Sequence, residues 1–72
     1  MDSKIIWVVE FNRDDEPIYS HAHFSEATAL KEAKSVVILS GGREEVIVRK
    51  TELQESPRKV LKEEVIFRRK RY

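Results

Sequence analysis

The chain has no cysteine. Disulfides, thiolate metal sites and cysteine nucleophiles are therefore excluded, and the composition is compatible with a reducing cytoplasm. Its two glycines, Gly41 and Gly42, are adjacent and are followed by neither Lys-Ser nor a helix pattern, so no phosphate-cradling loop is present. No apolar run approaches the roughly 20 residues needed to span a membrane. The start, Met1-Asp2-Ser3-Lys4, lacks the small-residue cleavage site of a signal peptide. There is no internal repeat. These absences predict a soluble intracellular protein with no membrane partner.

What is present is charge, unevenly placed. Residues 1–51 hold seven Lys/Arg against nine Asp/Glu, and residues 52–72 hold seven against four. An acidic-leaning core with a basic end points to two parts with different work. At 72 residues the chain is one domain. A core of that size is marginal without a staple or a partner.

Ser25 to Gly42 is the stretch the rest must fold against. Ser25 suits an N-cap, and Glu26 sits where the helix dipole favours a carboxylate. Ala27, Ala29, Leu30, Lys31, Glu32 and Ala33 are strong helix formers. Leu30, Ala33 and Val37, flanked by Ala29 and Val36, form one apolar stripe. Gly41 and Gly42 follow as C-cap candidates. The rival reading ends the helix near Lys34 and makes Ser35–Leu39 a strand.

Lys4–Phe11 is a nearly continuous apolar strand, with Ile5, Trp7, Val9 and Phe11 on one face. Asn12–Pro17 is a turn. Ile18–Phe24 is a second strand, with Ile18, Ala22 and Phe24 toward the helix and Tyr19, His21 and His23 away from it. Arg43–Thr51 is a third, with Val46 and Val48 toward the helix. A right-handed crossover gives a β-β-α-β unit in strand order 2-1-3. The expected fold is α+β: a three-stranded antiparallel sheet over residues 1–51, one helix on one face, and a basic C-terminal tail over 52–72. The helix should lie over Trp7, Val9 and Phe24.

The tail is the ambiguous part. Ser56-Pro57 could open a helix, and Val65-Ile66-Phe67 could be a fourth strand. High charge with few apolar residues favours a flexible tail. Arg68, Arg69, Lys70 and Arg71 form a basic cluster bracketed by Phe67 and Tyr72. Such a cluster suits nucleic acid or an acidic protein surface.

Metal and catalytic readings find little. Asp14, Asp15 and Glu16 offer oxygen ligands but lack the glycine and downstream carboxylate of a calcium loop. His21 and His23, two apart on a strand, could share a metal, but no further ligand is evident nearby. No nucleophile-plus-base pattern accompanies them. The expectation is a non-enzymatic protein with no metal and no cofactor.

The layout resembles small phage-encoded regulators that bind host bacterial RNA polymerase, of the T7-type inhibitor kind. The residues carrying this are Ile6-Trp7-Val8-Val9, Pro17-Ile18-Tyr19, Glu26-Ala27-Thr28-Ala29-Leu30 and Glu45-Val46-Ile47-Val48-Arg49-Lys50. The resemblance covers residues 4–51; the basic tail departs from it. It implies a protein that regulates transcription by contact with the polymerase in the host cytoplasm. Arg49 and Lys50 would then match basic residues of the last strand that engage the polymerase. One helix can cover only one sheet face. The expected partner surface is the other face, carrying Ile6, Val8, Tyr19, His21, His23 and Ile47, rimmed by Arg49. The alternative is an RNA- or DNA-binding module using the tail.

Overall fold

The computed structural model describes residues 3–39 and 44–70, the side chains of 36–39 and of Lys70 excepted. The elements are β1 (Ser3–Arg13), β2 (Glu16–His23), α1 (Glu26–Leu39), β3 (Glu44–Glu55) and β4 (Arg58–Lys70). They form one antiparallel sheet in the order β2-β1-β3-β4, with α1 on one face. The three expected strands keep their order, but the sheet has four strands rather than three.

Residues 52–70 of the expected tail are not separate from the sheet. The first of these residues extend β3 to Glu55, and 58–70 are the edge strand β4. Its charge density reads as solvated chain because the compensation lies across the ladder. Lys50 is opposed to Glu64, Glu52 to Lys62, and Glu55 to Arg58. Opposite charges facing each other across strands favour pairing. Ile66 and Phe67, half-buried, then pack against the main core.

The β1–β2 turn is tighter than Asn12–Pro17. Only Asp14 and Asp15 connect the strands, with φ of 51° and 67°. Two consecutive positive φ angles are the mark of a type I′ hairpin, and Asp tolerates them better than most residues.

The helix begins as its sequence dictates. The Thr28 backbone N–H donates to Ser25 Oγ at 3.2 Å, and the Thr28 hydroxyl donates to the Ser25 carbonyl at 3.1 Å. The helix runs through Ser35–Leu39, which removes the strand alternative for that stretch. The glycine C-cap lies outside the described residues. Ala29 and Ala33, one turn apart, are fully buried. They meet Val9, Phe11, Val46 and Val48 from the sheet, while Leu30 is half-buried beside them. Alanine at both contact positions lets the helix backbone sit close to the strands. Phe24 is not under the helix; it is 78% exposed.

This packing sets a prediction. Enlarging the helix–sheet contact with Ala33→Leu should overpack it and cost about 1–3 kcal/mol. Ala27→Leu, on the exposed helix side, should stay within about 0.5 kcal/mol of the parent. Urea denaturation checks both, and equal midpoints for the two variants would contradict this helix register.

Candidate functional site

Side chains alternate across a strand, and directly opposed residues share a face. Val9 opposes Val48, and Phe11 opposes Val46, so these define the helix side. Ile6 opposes Thr51, Val8 opposes Arg49, and Glu10 opposes Ile47 on the other side. The ladder continues into β4, where Arg49 meets Val65, Leu53 meets Val60, and Ile47 meets Arg68. Ile6, Val8, Ile47, Thr51, Leu53, Val60 and Val65 thus lie on a face with no helix over it among the described residues. Ile47, Thr51 and Leu53, on central β3, are buried by their neighbours in the sheet. Val60 and Val65, toward the edge, are 49% and 46% exposed.

Arg49 is not at the rim of this face but in its middle. Its Nη1 donates to Glu10 Oε1 at 2.8 Å, and Asn12 Nδ2 donates to Glu10 Oε2 at 2.9 Å. The Asn12 hydrogen bond, helped by Arg49 and opposed by burial, holds the Glu10 carboxyl below its ordinary value. Arg68 reaches Glu45 at 3.7 Å. Thr51 Oγ1 is buried with no hydrogen-bond partner among the described residues.

Three expected members of the face are elsewhere. Tyr19 opposes Phe11, His21 opposes Val9, and His23 opposes Trp7, so all three lie on the helix side. The physical reason is a carboxylate on the helix. His21 Nδ1 is 2.7 Å from Glu32 Oε2, and His23 Nε2 is 2.9 Å from Glu32 Oε1. Tyr19 stacks on Phe11 at 5.1 Å. Ile18 and Phe24, assigned inward from their apolar character, are exposed instead. A bulge in the β1–β2 ladder near Phe11 and Asn12 accompanies this choice of face. Burial pushes the Tyr19 phenol up, and the Glu32 charge adds to it.

Lys50 opposes Trp7 and Glu64 on the helix side, away from Arg49. With Ile5, Glu52, Lys62 and Glu64 it lines a shallow cleft beyond the helix. Of the basic cluster, Arg68 lies on the helix-free side and Arg69, opposed to Val46, on the helix side. Lys70 closes β4 with its side chain outside the description, and Arg71 lies outside the described residues. No group of three or more His, Asp or Glu among the described residues is arranged to hold a metal. No helix among them is long and apolar enough to cross a membrane.

Sequence reasoning missed Glu32, Val65 and Thr51 in these roles. Glu32 had a signal: it adjoins the buried stripe of Ala29 and Ala33, so a partner on the sheet was due. Val65 had none, because its face depends on the two bulges in the β3–β4 ladder that flank it.

The histidine clamp gives a pH prediction. Burial works to raise the Glu32 carboxyl, but hydrogen bonds from His23 and His21 and their charge leave it lowered. A lowered carboxyl contributes stability above its unfolded-state pKa, about 4.3 for glutamate, and loses it as pH falls through the folded value. Glu32→Gln should therefore be less stable than the parent at neutral pH, with the difference closing as pH drops below that range. Thermal melts as a function of pH check this; a constant difference would contradict the clamp.

No protein-family model, no curated protein and no solved structure matches the chain.

Proposed function

We propose that the chain is a non-enzymatic binding protein that works by protein–protein contact through its helix-free sheet face. One observation carries this reading. Ile6 and Val8, half-buried, and Val60 and Val65, exposed, share a face on which nothing is packed among the described residues, and Arg49 in the middle of that face is paired with Glu10. A contiguous apolar patch is seldom left open without use. With Arg49 paired, the middle of the face offers apolar area rather than free positive charge.

The layout resemblance supplies a concrete partner, host bacterial RNA polymerase, bound in the host cytoplasm with an effect on transcription. Of the two basic residues the resemblance points to, Arg49 belongs to this face and Lys50 to the other. The nucleic-acid reading has less behind it. It drew on a flexible basic cluster, and β4 instead sends Arg68 and Arg69 to opposite sides of a sheet.

The test uses Val8→Asp with Ala22→Glu, two directly opposed residues on this face and far from β4. After circular dichroism confirms folding, affinity for purified bacterial RNA polymerase should fall by about thirtyfold or more, the loss of an interface hot spot. Unchanged affinity would remove this face from the contact. No binding by the parent chain would remove the polymerase.

A further inference from the structure

β4 ends the sheet, and its outer side has no partner strand among the described residues. Its sequence there is Glu63-Glu64-Val65-Ile66-Phe67-Arg68-Arg69: two carboxylates, three apolar residues and two guanidiniums. Edge strands usually carry charge that repels a second copy of themselves. Within 63–69 the sign reverses, in a strand that is otherwise basic at Arg58, Lys59, Lys62 and Lys70. A parallel copy would set like charges together, whereas an antiparallel copy sets each acidic pair against a basic pair.

The bulge decides whether these charges also meet on the same face. Phe67 opposes Val48, and Val65 opposes Arg49, so Ile66 is the extra residue. Because of it, Glu64 and Arg69 both lie on the helix side, opposed to Lys50 and Val46. Glu63 and Arg68 both lie on the helix-free side, opposed to Thr51 and Ile47. A two-fold axis normal to the sheet preserves faces. Place that axis between two Phe67 residues, with Ile66 bulged in each copy. Glu64 then faces the second copy's Arg69, Val65 faces the second copy's Arg68, and Glu63 is diagonal to that same arginine. Both the direct and the diagonal positions are within cross-strand reach. Without the bulge the acidic and basic residues would fall on the wrong faces.

We propose that β4 is a self-association edge, pairing antiparallel with β4 of a second copy of this chain about Phe67. The two sheets join into one, with both helices on one side and both helix-free faces on the other. Val65 belongs both to this joint and to the proposed contact face, but the two tests are separable, since Val8 and Ala22 lie strands away from the joint.

Sedimentation velocity of the full chain across the micromolar range tests it. The expected result is a concentration-dependent dimer that added salt weakens. Glu63→Arg with Glu64→Arg, and separately Arg68→Glu with Arg69→Glu, should each weaken dimerisation by about tenfold or more. An equimolar mixture of the two variants should regain a mixed dimer, because every joint then pairs opposite charges. Should a double variant fail to fold, Glu64→Arg and Arg69→Glu give the same comparison with one change each. A chain that stays monomeric throughout, a dimer indifferent to reversal, or a mixture that does not recover would overturn the proposal.

Discussion

The structure depends on a mismatch of lengths. The 14-residue helix is about 21 Å long, while the 13 residues of β4 reach about 43 Å. Ala29 and Ala33 bring the helix onto Val9, Phe11, Val46 and Val48, and that contact is the centre of the core. The rest of a four-stranded sheet must be held by its own ladder. Long strands, paired across β1, β3 and β4, bury Ile47, Thr51 and Leu53 with no covering layer among the described residues. The exposed face and the open edge both follow from a helix too short and too narrow for its sheet.

Charge does the remaining local work, in pairs that join strands distant in sequence. Arg13 grips the buried Glu44 through Nε and Nη2 at 2.9 and 2.7 Å. Arg49 ties β3 to β1 through Glu10, and Lys4 ties β1 to β3 through Glu55. Glu32 ties the helix to β2 through two histidines. The exposed pairs among these contribute little stability. Their larger effect is on register, because a one-residue slip would break them and turn each side chain to the other face.

Much of this was legible in the sequence. The first strand, the helix with its Ser25 cap, and the inward Val46 and Val48 follow from period and capping chemistry, and the order of the first three strands follows from the right-handed crossover. Strand β2 was misread because hydrophobicity alone chose its face. Ile18 and Phe24 were set against Tyr19, His21 and His23, and the deciding term was Glu32 on another element. For β4 the sequence favours a flexible tail over the fourth-strand alternative at Val65-Ile66-Phe67, which the structure extends to Arg58–Lys70, because charges counted along the chain hide their partners. Lys62 and Glu64 find their complements at Glu52 and Lys50, which only the register reveals. For the candidate site, Ile6, Val8, Ile47 and Arg49 were assembled on one face from alternation. Val65 cannot join them from alternation alone, because bulges at Leu61 and Ile66 flank it.

The central claim is that the helix-free face is the working surface. Methyl cross-saturation, read by NMR on the labelled chain with unlabelled bacterial RNA polymerase, tests it most directly. The account predicts that the methyls of Ile6, Val8 and Val65 lose intensity while those of Ala27 and Leu30 on the helix keep theirs. Saturation centred on the helix methyls, or none at any methyl, would contradict it.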